Sequence, residues 1–458
     1  MDPEAKTTAE HDSKPGQPLG LPSRPVERWL TPIRRFLHVE SASGVVLLAC
    51  TAAALILANS PLAGWFASIW KTKVELNLGE FRLAGDLGHL VINDGLMAIF
   101  FFVIGLEIKR EIVAGELQEF RKALLPVFAA AGGMVVPAAV YLSLQWGQPG
   151  QRGWAIPMAT DIAFVVGFLA LFGKRVPFSL KILLLTLAIV DDLGAVLVIA
   201  FVYTGALAWG WLGVAAGGIA LTYGLNRAGV RSVGVYVLVG GIIWLAVYRS
   251  GIHPTVAGVL LGLLTPASAW VGDKTFFNVV GGSWDRLRGY EPKDEQRYAD
   301  LAKIQFAARE AVSPLHRLET ALHPWVAFAI MPVFALANAG VPLEVSGIGD
   351  PVAVAVAAGL AIGKPVGIVL FCWLAVRLGL TKLPDGVSWP LLIGGACLAG
   401  IGFTMALFIN GLAFPAAEFP AKEEAGKVGT LLGSLVSAVI GGGVIFLVVR
   451  QTRSRPTE

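Results

Sequence analysis

The sequence is short of what most function classes need. Its three cysteines, Cys50, Cys372 and Cys397, all fall inside apolar runs, which excludes a disulfide framework and a thiolate metal site. Only 15% of the residues are charged and the formal net charge is +4. No segment is basic enough for a nucleic-acid domain, and no nucleic-acid partner is expected. No apolar region follows the first charges, so a cleavable signal peptide is not expected either. Beyond the N-terminal tail, the one long polar stretch runs from Thr265 to Leu322.

Apolar sequence fills the rest. Of the 458 residues, 55% are hydrophobic and the mean hydropathy is +0.68, as in a polytopic membrane protein and unlike a soluble domain. The 54 glycines suit membrane helices that approach closely. The apolar runs divide into about twelve spans, near 42–58, 87–108, 124–144, 153–172, 179–203, 209–225, 233–248, 252–264, 324–339, 352–376, 391–414 and 429–449. The fold class expected is an all-α polytopic membrane protein.

Residues 1–25, rich in Pro, Ser, Thr, Lys and Glu, are expected to form a disordered cytoplasmic tail. From Pro25 to His38, apolar residues alternate with Arg28, Arg34 and Arg35, a pattern for a short helix on an anionic membrane face. Residues 26–450 then form the transport domain, carrying a cytoplasmic insert at 265–322, and 451–458 form a C-terminal tail. Val74-Glu75-Leu76-Asn77-Leu78 alternates with period two and predicts a short exposed hairpin. Asp294–Val312 predicts an amphipathic surface helix in an insert otherwise read as a solvated loop.

The fifth span holds the most expensive residues. Asp191 and Asp192 sit near the middle of an apolar run containing fifteen Leu, Ile, Val and Phe. Two central aspartates cost roughly 5–7 kcal/mol on insertion, and the apolar residues return about 4–9. Intramembrane acids of this kind mark ion or proton pathways. Pro157 and Thr160-Asp161 interrupt the fourth span, Gly400-Ile401-Gly402-Phe403-Thr404 interrupts the eleventh, and the tenth buries Lys364.

Spans three to five and ten to twelve each carry a broken middle helix and run in opposite directions, as inverted-topology repeats do. Breaks at the midplane expose positive partial charge at helix N-termini, which Asp161 can compensate, and negative partial charge at C-termini, which Lys364 can compensate. Asp191 and Asp192 point about 100° apart, so both can line one cavity. Burial and mutual repulsion favour protonated carboxyls, and a nearby lysine favours ionised ones. Such a site takes protons or a small hard cation, one excluding the other; with alternating access, that is antiport. Basic residues cluster on one side of about twelve spans, which predicts cytoplasmic termini.

Several stretches carry a family resemblance: DGLMAIFFFVIGLEIKRE, WAIPMATDIAF, LAIVDDLGA, HPWVAFAIMPVFALANAG, GKPVGIVLFCWLA and GIGFTMALFI. From about Val39 to Arg450 the chain resembles the NhaA-type bacterial sodium/proton antiporters, a family that is itself an example of inverted repeats. The resemblance implies a pH-regulated, electrogenic exchanger of sodium or lithium for protons in the bacterial inner membrane, without a cofactor and not an enzyme. It allows a homodimer. It makes Asp192 the principal cation ligand and Asp191 a proton carrier paired with Lys364. It puts Thr160 and Asp161 at the helix crossing as members of the cation- and proton-binding set, makes Glu107, Glu111 and Glu319 a cytoplasmic pH-responsive funnel, and gives His253 a part in the pH response. The insert and the proline-rich tail stand outside the family pattern.

Two other classes also place acids in membrane helices. A symporter or channel would need an organic-solute pocket or an unbroken pore, and no carboxylate or amine clamp is evident. An intramembrane aspartyl protease would use a Gly-x-Gly-Asp motif; one occurs at Gly347–Asp350, in a loop and without a Tyr-Asp partner.

Overall fold

A computed structural model describes residues 40–78, 81–230, 232–287, 289, 295–342 and 349–453. The N-terminal tail, the surface helix expected over Pro25–His38, Gly347 of the Gly-x-Gly-Asp motif and the last five residues lie outside the described residues.

In hydrocarbon, each backbone N–H and C=O must be satisfied within its own segment, and apolar runs of this length therefore fold as helices. The chain opens with α1 (Glu40–Ala58) and α2 (Ala63–Trp70), bent by 119° to each other. A hairpin follows, β1 (Lys73–Leu78) antiparallel to β2 (Phe81–Asp86), in register from Lys73↔Asp86 to Leu78↔Phe81. It falls where period-two alternation predicted it.

Then come α3 (Leu87–Ala114), α4 (Phe120–Gln145), a 3-10 segment (Gln151–Met158) leading to α5 (Ile162–Leu171), and α6 (Phe178–Val202). Next are α7 (Trp209–Arg227), α8 (Val233–Ser250) and the ten-residue α9 (Thr255–Leu264). The insert contributes α10 (Asp273–Leu287) and α11 (Glu295–Glu310). The second half comprises α12 (Pro314–Asn338), α13 (Pro351–Arg377), α14 (Trp389–Ala399), α15 (Phe403–Ala413) and α16 (Pro420–Arg453).

Among the described residues, eight helices are long and apolar enough to cross a membrane, and up to ten spans result if each of two bent pairs counts as one. The other two expected spans are present as α7, diluted by glycine and tryptophan, and as the short α9.

Three features depart furthest from the sequence expectation. α12 starts at Pro314, ten residues before the expected Pro324, with Ser313 Oγ accepting from the His316 N–H at 3.3 Å as its cap. Its first turns are polar, so hydropathy missed them; the insert ends at Ser313 rather than Leu322, and Glu319 is a helix residue. α16 likewise begins at Pro420 rather than Gly429, through the polar turns around Lys422, Glu423 and Lys427.

The insert, thirdly, is a pair of packed helices and not a loop with one helix. Arg286 clamps them, its Nε 2.9 Å from Asp300 Oδ2 and its Nη2 3.1 Å from Oδ1, and Lys303 reaches Oδ1 at 3.1 Å. The hydrogen bonds from Arg286 and then Lys303 hold the Asp300 carboxyl down at about 2. A depressed carboxyl stabilises the fold above its ordinary range and loses that contribution only as pH falls toward 2.

Glycine sets the closest helix contacts. A Cβ on Gly367 of α13 would collide with the Gly132 carbonyl oxygen of α4, and one on Gly132 with the Gly367 carbonyl. Gly258 and Gly262 of α9 meet the Ala98 and Phe102 carbonyls of α3 in the same way. Gly367→Ala is expected to push α4 and α13 apart and cost about 1–3 kcal/mol, seen as a lower melting temperature in detergent. An unchanged melting temperature would show that the contact is slack.

Candidate functional site

The two expected breaks lie across each other. Between the 3-10 segment and α5, Ala159 (ψ 150°) and Asp161 (φ −90°, ψ 99°) are extended. α14 and α15 are bent by 45° at Gly400–Gly402. The Asp161 N–H donates to the Ile401 carbonyl at 2.7 Å, and Thr160 Oγ1 lies 3.1 Å from the Ala399 carbonyl oxygen. Each break therefore supplies partners for the polar groups freed by the other, as the absence of water at that depth requires.

Asp161 caps both helices that start there. Its Oδ1 accepts from the Phe164 N–H at 3.3 Å, in the first turn of α5. Its Oδ2 accepts from the Thr404 N–H at 3.2 Å, in the first turn of α15, and from the Thr404 hydroxyl. One carboxylate thus faces two positive helix ends. Thr404 was not singled out from sequence as a site residue, although it closes the Gly400–Thr404 break.

Asp191 and Lys364 meet beside the crossing. Lys364 Nζ is 2.9 Å from Asp191 Oδ2, and both side chains are fully enclosed. Lys364 also donates to the carbonyl of Met158, the C-terminal end of the 3-10 segment. It follows a π-helical turn, Gly359–Gly363, that reshapes α13 at this depth. The Thr160 hydroxyl lies 2.9 Å from Asp191 Oδ2; with one proton, it serves either this oxygen or the Ala399 carbonyl.

Two carboxylate oxygens here, Asp191 Oδ1 and Asp192 Oδ1, are buried and accept no hydrogen bond. Enclosed anionic oxygens without donors are costly until a proton or a cation neutralises them. Neighbouring carboxylate, hydroxyl and carbonyl oxygens are the donors that a small hard cation takes. Among the described residues, no three His, Cys, Asp or Glu side chains converge as around a resident metal.

The expected pH-response residues fall into two places. Arg110 is ion-paired with Glu319 and lies 3.7 Å from Glu111 Oε1. Glu107, one turn before Glu111, is within electrostatic reach of Arg110, Glu111, Glu319 and also Asp192. His253 is elsewhere, with Nε2 3.4 Å from Asp94 Oδ1, Nδ1 2.8 Å from Thr255 Oγ1 and its ring edge-on to Phe408. Asp94 precedes Glu107 by thirteen residues, roughly 20 Å along α3. Neither Arg110 nor Asp94 was picked from sequence, although both lie in the stretch DGLMAIFFFVIGLEIKRE and Asp94 is an acid inside an expected span.

A membrane helix bundle in which two broken helices cross beside enclosed carboxylates and a lysine is the architecture of a secondary transporter, not an enzyme. The chain belongs to the Na+/H+ antiporter 1 family, whose sequence model matches residues 34–445. It is 51% identical over 444 residues to a protein of Rhodopirellula baltica named Na(+)/H(+) antiporter NhaA, with 96% of this chain and 98% of that one covered. It is 48% identical over 439 residues to Na(+)/H(+) antiporter NhaA 2 of Acidiphilium cryptum, covering 94% and 95%. A Rhizobium meliloti protein named Na(+)/H(+) antiporter NhaA is 46% identical over 439 residues, covering 94% and 98%.

Proposed function

We propose that this chain exchanges sodium, or lithium, for protons across a bacterial inner membrane, with both termini in the cytoplasm. The observation that carries this reading is the enclosed Asp191–Lys364 pair beside Asp192, with one oxygen of each carboxylate lacking a donor. In the sodium-loaded state, Asp192 is the principal ligand, and Asp191 and Thr160 offer further oxygens. In the proton-loaded state, the carboxyls are neutral and the Asp191–Lys364 bridge is released. In both loaded states no carboxylate is left bare, and in the proton-loaded one the Lys364 ammonium keeps the Met158 carbonyl at a helix end, so the site turns over loaded with one species or the other.

If both carboxyls carry protons on the return, more than one charge moves against each sodium, and the exchange is electrogenic. The pH response is assigned to the charged cluster of Glu107, Glu111, Arg110 and Glu319, whose ion pairs would be rearranged between an open and a closed path toward Asp192. His253, paired with Asp94, responds separately.

Everted vesicles test the reading: adding sodium should dissipate an imposed proton gradient, and lithium should do likewise. Vesicles whose proton gradient is untouched by either ion, with the protein inserted and folded, would refute it. The N-terminal tail is not needed for this cycle, so deletion of residues 2–22 should leave the sodium response intact. A correctly inserted but inactive truncation would overturn that expectation.

Asp161 serves the scaffold in this scheme. Asp161→Ala removes the cap of α5 and of α15 together, and loss of each cap costs about 0.5–2 kcal/mol. The variant should melt earlier and transport poorly, while Asp161→Asn, which keeps an acceptor oxygen, should melt closer to wild type. Equal melting of all three proteins would contradict the double-cap role.

A further inference from the structure

The insert between α9 and α12 takes no part in the ion site, yet it exposes aromatic residues of a kind water does not favour. Along α10, Phe276, Val279, Val280, Ser283 and Leu287 are shielded and share one side of the helix. Phe277, 68% exposed, and Trp284, 53% exposed, are seven residues apart and form a second stripe two turns long. Trp270, just before α10, is 65% exposed.

The base of the insert is fixed to the membrane helices. It leaves α9 at Leu264, and the Leu315 N–H of α12 donates to the Pro266 carbonyl at 3.1 Å. The Trp270 and Val271 N–H groups donate to the Glu310 carbonyl at 3.0 and 3.1 Å, and Glu310 Oε1 is 3.6 Å from Arg317 of α12. The Trp270 ring lies beside Gly229, in the turn that leads into the membrane-crossing α8. Trp270 is therefore held at the level where membrane helices end, and α10 starts three residues later.

We propose that α10 lies in the headgroup layer of the leaflet from which the insert emerges, with Trp270, Phe277 and Trp284 immersed in it. Phospholipid fits this surface better than a protein partner, because Trp270, where the stripe begins, sits beside Gly229 in the turn that enters the membrane-crossing α8. Aromatic side chains favour the membrane interface, where an apolar ring meets hydrated headgroups. Exposed Lys274, one turn before Phe277, places an ammonium at the rim of the stripe, where lipid phosphates lie. The inference rests on the membrane placement of the helices and not on which ion the protein carries, so a failure of antiport would leave it standing.

The test uses the full chain with its cysteines replaced (Cys50→Ser, Cys372→Ala, Cys397→Ala) and Phe277→Cys or Trp284→Cys labelled with bimane. The protein is reconstituted into vesicles of phosphatidylethanolamine and phosphatidylglycerol. Bimane emission at both positions should be blue-shifted, lost to a nitroxide carried near the lipid headgroup, and little affected by aqueous iodide. Quenching by iodide as strong as for free dye would overturn the proposal. So would shielding from both quenchers that disappears as the protein is diluted among vesicles, because a second copy would then cover the stripe. Should the cysteine-free chain not fold, the protein with native cysteines gives a second readout. Trp270→Phe with Trp284→Phe should reduce the tryptophan emission that brominated lipid quenches, and an unchanged quenched fraction counts against the proposal.

Discussion

Asp192→Asn is expected to abolish sodium-driven proton movement while leaving the protein folded. Asn keeps the shape of the side chain and removes only the negative charge. In the enclosed site, that charge is what a sodium ion stripped of water would face, since Asp191 is already bound to Lys364 at 2.9 Å. Removing one charged partner of a buried pair costs about 3–5 kcal/mol, which lowers sodium affinity by roughly a hundredfold to a few thousandfold. Stability should hold or rise, because Asp192 Oδ1 is buried without a donor and the neutral amide relieves that cost. The measurement pairs flux in proteoliposomes with a melting curve. Wild-type turnover in the Asn variant would sink the assignment of Asp192, and lost flux in a protein that no longer melts cooperatively would assign only a folding role.

Lys364→Ala carries the second large effect, and it reaches stability as well as function. The ammonium is fully enclosed, bonded to Asp191 and to the Met158 carbonyl. Its removal strands the Asp191 charge and uncovers a helix end, so a loss of about 3–5 kcal/mol is expected. Asp191 also loses the positive neighbour that favours its ionised form, so it gives up its proton only at higher pH. The pH of half-maximal sodium-driven proton flux should therefore move in the alkaline direction. Lys364→Arg keeps the charge with altered geometry and should shift both quantities less. An unmoved midpoint in Lys364→Ala with wild-type melting would show that this lysine neither pairs with Asp191 nor compensates a helix end.

The parts of this fold most legible in the sequence were those with a large energetic penalty attached. Asp191, Asp192 and Lys364 in apolar runs are too expensive to be incidental. Pro157 and the Gly400–Gly402 glycines likewise announced breaks, and the period-two run at Val74–Leu78 announced the hairpin. Hydropathy failed where a helix runs on from membrane into water. The first turns of α12 and α16 are as polar as a loop, and only caps such as Ser313 mark where they start.

Pairing was also beyond a one-dimensional reading. Thr404 meets Asp161 only because the two breaks cross, and Asp94 meets His253 only because α3 passes the start of α9. The glutamates of α3 are spaced four apart, so one face was foreseeable. The arrival of Glu319 beside Arg110 depended on the unpredicted early start of α12.

The central claim is that one enclosed carboxylate site holds sodium or protons but not both. Calorimetric titration of the purified protein with sodium, repeated in buffers of different ionisation enthalpy, counts the protons released per sodium bound. The account predicts proton release on binding, an apparent sodium affinity that falls as pH is lowered, and loss of both in Asp192→Asn. Sodium binding with no proton release, at an affinity independent of pH, would contradict it.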